Sequence, residues 1–204
     1  MPVNATRKRI NAAAMRLFAE RGTTELTVSE LATAAGVARG TLYRNVESVE
    51  QLFDHVSAQL ARDIHDANAR AMTAHGQTDP PLRLATAIRM LVRQAHYDAA
   101  MGRFLIRFGL TDESLREVLS GAPMHDIEAG IEAGRYPFAS GLKLSIASLM
   151  TGTVVSAMWM VLEGHQGWRE AGAGAAELVL CALGVPHEEA RAIAEAQLPE
   201  LPAL

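Results

Sequence analysis

Residues 27–43 of this 204-residue chain read TVSELATAAGVARGTLY, and no other stretch restricts the fold so tightly. Thr27 with Glu30 three residues later is a capping box, in which the two side chains satisfy each other's orphan backbone donors at a helix start. Val28, Leu31, Ala32 and Ala35 give that helix a buried face, and Gly36 permits the positive φ that ends it. A second short helix follows at about 38–45, with Leu42 and Val46 turned inward. Val37 plugs the angle between the two, and Ala32 is small enough to let them approach. Two short helices on a tight glycine turn make a helix-turn-helix, although any αα-hairpin shows the same local pattern.

Helical periodicity extends over nearly the whole chain, and no run of period-two alternation rich in Val, Ile and Thr interrupts it. The expected class is all-α: a three-helix N-terminal head over residues 1–50 and a helical body over 51–204, about nine or ten helices in all. Ile10, Ala13, Ala14, Leu17 and Phe18 mark one face of a first helix that stops at Gly22. Ser48 to Gln51 is a second capping box, launching from about residue 49 a long helix (Leu52, Phe53, Val56, Leu60, Ile64) that joins head to body. Thr73 to Asp79 is the clearest linker. Asp79 caps a fifth helix with Pro80 at its first position, and a sixth runs from Met101 to Gly109. A seventh, from Thr111 to about Gly134, is expected to break at Gly121-Ala122-Pro123; an eighth covers about Phe138 to Glu163 and a ninth about Arg169 to Leu183, followed by a tail helix.

A lone cysteine, Cys181, excludes an intramolecular disulfide, and the N-terminus offers no secretory signal, so a reducing cytoplasm is the expected compartment. The uncharged run Leu144 to Leu162 is long enough for a membrane span, but its six Ser, Thr and Gly residues favour a helix packed in protein. No glycine-rich phosphate loop, nucleophile elbow or metal-spaced Cys/His cluster points to an enzyme, a cofactor or a metal. Net charge is −4, yet residues 1–50 hold seven basic against five acidic residues, leaving −6 for the remainder. A mildly basic head on an acidic body directs one end towards phosphate.

From Arg9 through Leu52 the sequence resembles the tetracycline-repressor family of transcriptional regulators. The resemblance rests on Ile10, Ala13, Ala14, Leu17, Phe18, Gly22, Thr27, Val28, Leu31, Ala32, Ala35, Gly36, Val37, Gly40, Leu42 and Tyr43, all at the family's spacing. It implies a ligand-responsive DNA-binding regulator, a repressor released from a palindromic double-stranded operator by a small molecule. Three positions depart from the pattern: Ala38 replaces a capping serine, Val46 a phenylalanine, and Val49 a lysine that contacts phosphate. A degenerate head on a ligand-binding or protein-interaction module is the competing reading.

On the exposed side of the third helix, Arg39 and Thr41 are the candidates for base readout, since arginine pairs with guanine and threonine meets a thymine methyl. Thr27, Tyr43, Arg44 and Asn45 are expected to hold the phosphate backbone, and Gly40 to allow close approach. Arg7, Lys8 and Arg9 are candidates to meet a flanking minor groove or phosphates, with a frayed, solvated terminus the equal alternative.

The resemblance further implies that the body dimerises through its last two long helices and holds a pocket among helices four to eight. Ser148, Gly152 and Ser156 form a stripe of small side chains suited to a homodimer, completed by Ala173, Ala176, Leu180 and Leu183 of helix nine. Met90, Met101, Phe104, Phe108, Met150, Met158 and Trp159 are pliable apolar candidates to line a site for a small apolar or amphipathic ligand. Arg103 and Arg107 are candidates for a ligand carboxylate.

Overall fold

The computed structural model describes residues 5–137 and 140–200, and among them every regular element is helical. The head comprises α1 (Ala5–Arg21), α2 (Val28–Ala35) and α3 (Arg39–Asn45). The body comprises α4 (Val49–Ala74), α5 (Pro80–Tyr97), α6 (Ala99–Phe108), α7 (Glu113–Arg116), α8 (Ala122–Glu132), α9 (Lys143–Leu162), α10 (Trp168–Ala182) and α11 (His187–Glu195).

Of the three capping signals read from the sequence, the box at α2 forms in full, the one at α4 forms its serine half, and the one at α5 does not form. At α2 the Glu30 amide donates to Thr27 Oγ1 (3.2 Å) while the Thr27 amide donates to Glu30 Oε2 (2.9 Å). At α4 the Gln51 amide donates to Ser48 Oγ (3.1 Å). The Asp79 side chain makes no such cap at α5; its carboxylate instead takes Arg135 Nε at 2.9 Å. That pairing ties the start of α5 to the turn after α8.

α5 is the axis of the body, packed against α4, α6, α8, α9, α10 and α11. Its buried residues occupy most of its circumference, including Leu84, Ala85, Ile88, Met90, Leu91, Val92 and Ala95. Each large side chain of this kind withdrawn from water contributes about 1.5–3 kcal/mol.

Head and body share a single apolar core that runs from Ile10 to Ala194. At the junction four phenylalanines meet, one from α1, one from α4 and two from α6. Phe53 lies 5.2 Å from Phe18, 5.6 Å from Phe104 and 5.0 Å from Phe108, centroid to centroid. Two of these pairs are edge-on, the favoured geometry for aromatic quadrupoles.

The break foreseen at Gly121-Ala122-Pro123 falls slightly earlier, as a π-helical turn over Glu117–Gly121 between α7 and α8. Its cause is chemical: Pro123 has no N–H to give to the Leu119 carbonyl four residues back. That carbonyl instead faces the Thr151 hydroxyl of α9, at 3.5 Å. A foreseen start for the next helix at Phe138 lies outside the described residues; within them a 3-10 turn, Ser140–Leu142, leads into α9.

Candidate functional site

α3 is anchored by one residue. Leu42 is 1% exposed, and around it Arg39, Gly40, Tyr43 and Arg44 are exposed while Thr41 and Asn45 are half-buried. The turn before α3 is made by Gly36 at φ 61°, ψ 42°, the left-handed region that a side chain disfavours. Val37 is half-buried against the core and fixes the angle.

The side chains of α3 are already organised. Arg39 Nη2 donates to Ser29 Oγ of α2 at 2.7 Å, which aims its guanidinium along the outer surface of the helix pair. Arg44 folds back, Nε to the Gly40 carbonyl (3.2 Å) and Nη2 to Thr41 Oγ1 (3.3 Å). Asn45 Nδ2 donates to the Thr41 carbonyl at 2.7 Å. Gly40 has no neighbour within 4 Å of where a Cβ would stand, so its surface is open to a ligand. Thr27 is exposed, and its hydroxyl donates to Glu30 Oε2 (2.7 Å) as part of the capping box. Those hydrogen bonds from Thr27, with Arg21 at 2.6 Å from the same carboxylate, hold Glu30 below the ordinary carboxyl range.

The three departures from the family pattern have visible outcomes. Ala38 stands at the N-cap of α3 with no side-chain hydrogen bond to the helix. Val46 and Val49 both pack against the core as half-buried side chains. Arg9 has a different task from the groove contact foreseen for it. Its Nη2 donates to the carbonyls of Ala35 (2.8 Å) and Gly36 (2.6 Å), closing the C-terminus of α2 where the turn begins. A cation there also complements the negative end of the helix.

About 22 Å along α4 from Phe53, at 1.5 Å per residue, a cavity of about 440 Å³ opens between α4, α5, α8 and α9. Ile64, Met72, Ile88, Leu91, Val118, Leu119, Met150 and Val154 supply apolar wall. Arg62, His65, Asp66, Glu117 and His125 line it as exposed residues at its rim. Arg83 and Asp126 form a pair in the wall at 2.6 Å. Asn68 lines it as well, with a buried Oδ1 that no protein donor reaches. Among the described residues no group of three or more His, Cys, Asp or Glu is placed to hold a metal.

Of the seven apolar residues singled out from sequence, Met150 lines this cavity and the other six do not. Met90, Met101 and Met158 are fully buried core. Phe104 and Phe108 belong to the junction with the head, and Trp159 is 45% exposed on the surface of α9. Arg107 lies against Gly22 at the end of α1, away from the cavity. Asn68 and the Arg83–Asp126 pair were not foreseen, because nothing local in the sequence joins residues 58 positions apart.

The outer face of α9 carries Leu144, Ser145, Ser148, Leu149, Gly152, Ser156 and Trp159, all exposed. The small-residue stripe is therefore exposed in the protomer. On α10 the expected register is corrected. Ala176, Leu180 and Leu183 are fully buried within the protomer, and Ala173 is half-buried. α10 packs against α5, α9 and α11, and its outward side carries Glu170 and Leu178, the latter 65% exposed, with Gly174 and Cys181 half-buried between and beside them. α9 is long and apolar enough to cross a membrane by length and composition, with 39% of its apolar window buried in the protomer.

Residues 10–56 match the family described as bacterial regulatory proteins, tetR family, and residues 79–196 match the tetracyclin repressor-like C-terminal domain. The chain is 35% identical over 75 residues to the HTH-type transcriptional regulator TtgR of Pseudomonas putida, covering 37% of this chain. The match spans 35% of the length of TtgR. Among solved structures, RolR in complex with resorcinol is similar over 97% of this chain and 96% of its own, at 29% identity and a TM-score of 0.71. The fatty acid degradation regulator FadR from Bacillus halodurans shares the fold, with 22% identity, a TM-score of 0.69, and coverage of 88% of this chain and 97% of FadR.

Proposed function

The chain belongs to the tetracycline-repressor family of regulators, and on that footing we propose that it binds a palindromic operator as a homodimer and leaves it when a small molecule fills the body cavity. The observation that carries this reading is one helix with two duties. α4 contributes Leu52 and Phe53 to the core at the head and Ile64, Asn68 and Met72 to the cavity. A ligand that prefers a tilted α4 displaces the head, because a tilt of about 5° over a lever of about 22 Å moves its end by about 2 Å. In a two-fold dimer both reading helices shift at once, and they no longer match half-sites about 34 Å apart.

In this reading Arg39 and Thr41 meet base edges, while Thr27, Tyr43, Arg44 and Asn45 fix the phosphate backbone. The free faces of α9 and α10 form the dimer contact, through Ser148, Gly152 and Ser156 on one helix and Leu178 on the other. Such a regulator works in the cytoplasm, where its DNA is.

Titration against a pool of genomic fragments at two salt concentrations tests the DNA half of the proposal. Sequence-selective retention that survives the higher salt supports the operator-binding head. Uniformly weak binding at all sequences favours the degenerate-head alternative.

A further inference from the structure

The side of α5 turned away from the cavity gathers a second group of charges. With 3.6 residues per turn, Arg89 and Arg93 lie one turn apart and nearly opposite Ala87 and Leu91, which line the cavity. Arg93 is 8% exposed and Arg89 half-buried. Their partners are carbonyls: Arg89 Nη1 donates to the Ala196 oxygen and Arg93 Nη2 to the Pro199 oxygen, each at 2.7 Å. Both acceptors belong to the tail after α11, where residues 196–200 form no helix.

A third guanidinium joins them. Arg169 is exposed, its Cζ lies 4.3 Å from the centroid of the Trp168 ring, and Arg93 Cζ lies 5.8 Å from the same ring. Exposed His96 and Tyr97 stand beside that ring, each at 6.4 Å. Among the described residues no carboxylate forms an ion pair with Arg89, Arg93 or Arg169. The acids nearest along the chain are placed otherwise. Asp98 caps α6 by accepting from the Met101 amide (3.0 Å), Glu195 pairs with Arg191 (3.1 Å), and Glu170 and Glu200 are exposed outside any ion pair. Burial, and then the charge of Arg93, pull the Arg89 guanidinium below arginine's ordinary value. Burial does the same to Arg93, with Tyr97 offsetting it and Arg169 adding to it. A carbonyl oxygen satisfies an N–H but brings no full charge to balance a cation withdrawn from water.

We infer that Arg89, Arg93 and Arg169 form an anion site, and that residues 196–199 are a strap over it which a multivalent oxyanion displaces. Phosphate or carboxylate oxygens accept from the same N–H donors as the two carbonyls and supply the missing charge, and such charge-assisted bonds are about twice as strong as neutral ones. A monovalent ion would balance one of three cations, so a multivalent one is preferred. Arg169, already exposed, makes the first contact. The site stands apart from the cavity and does not depend on its role; α5 carries residues of both, which gives the body a second chemical input.

The full-length protein is titrated by calorimetry with inorganic pyrophosphate against chloride at equal ionic strength, and amide exchange over residues 194–200 is followed by mass spectrometry. Saturable binding at least tenfold tighter than that of chloride is expected, with tail exchange at least fivefold faster at saturation. Arg93→Gln is expected to weaken binding at least tenfold. Arg169→Gln alters an exposed side chain, so its melting temperature should hold while binding weakens at least threefold; it decides the matter should Arg93→Gln fail to fold. Pro199→Gly loosens the strap and keeps all three arginines, and is expected to bind at least threefold more tightly than wild type. Absence of saturable binding, or binding undiminished in Arg169→Gln, overturns the anion site. Binding that leaves tail exchange unchanged overturns the strap.

Discussion

Replacing Phe53 by alanine strikes the place where head and body are joined. The ring is 8% exposed and touches three other phenylalanine rings from two further helices. Truncating a buried phenylalanine costs about 3–5 kcal/mol, made up of lost transfer free energy and the void left behind. That is a large part of the roughly 5–15 kcal/mol by which a domain is stable. For a chain of this size each kcal/mol lowers the melting temperature by about 2–4 °C, so a drop of roughly 6–20 °C is expected. Phe53→Leu keeps most of the apolar volume but loses the three aromatic contacts, each worth about 0.5–1.5 kcal/mol, and should fall between wild type and Phe53→Ala. Circular dichroism melting at fixed protein concentration measures both. Because the core is continuous from Ile10 to Ala194, the wild type should melt in one transition with no early loss of the head. A separate head transition, or a cost for Phe53→Ala below about 1 kcal/mol, would show that the four rings do not couple the two regions and would refute the lever argument.

Ala38→Ser supplies the missing side-chain cap of α3 and should stabilise the head by about 1 kcal/mol, read as a raised denaturation midpoint together with tighter operator binding. Leu178→Glu buries a charge in the contact proposed between α10 helices; sedimentation should show monomers, and operator affinity should collapse with the dimer while the helical content stays unchanged. Acidification acts on the α2 cap. Glu30 is held below its usual value of 4.5, mainly by the Thr27 hydrogen bonds. Its stabilising effect is therefore complete above that value and is lost as pH falls through the lower folded value. Amide exchange over residues 27–36 should accelerate in acid in the wild type, and Glu30→Gln should flatten that dependence.

The head was legible because its determinants are local. Thr27 and Glu30 are three residues apart, Gly36 needs its own φ, and Leu42 marks the inner side of α3 by its spacing alone. The body was legible in its helices but not in its surfaces. Periodicity identifies the apolar side of α10 and cannot say whether α5 or a second protomer covers it, so Ala176, Leu180 and Leu183 were assigned to the wrong neighbour. The cavity was hidden for a similar reason. Methionine and phenylalanine content marks pliable apolar residues, but Met90, Met101 and Met158 are fully buried and line no part of the cavity. What marks the cavity is the meeting of Asn68, Arg83 and Asp126 from three helices, a property of tertiary placement. Arg9 shows the reverse case: a terminal basic residue that reads as free in sequence is bonded to the carbonyls of the turn.

The most direct test is reciprocity between the two ends of α4. With resorcinol, the molecule held by RolR, as the first probe, the protein is titrated by calorimetry free and saturated with an operator chosen by fragment selection. The two affinities should differ by about 5–150-fold, the usual span of coupling between sites, with the DNA-bound dimer the weaker. Equal affinities would mean that filling the cavity and seating the reading helices are independent events, and the proposed release mechanism would be wrong.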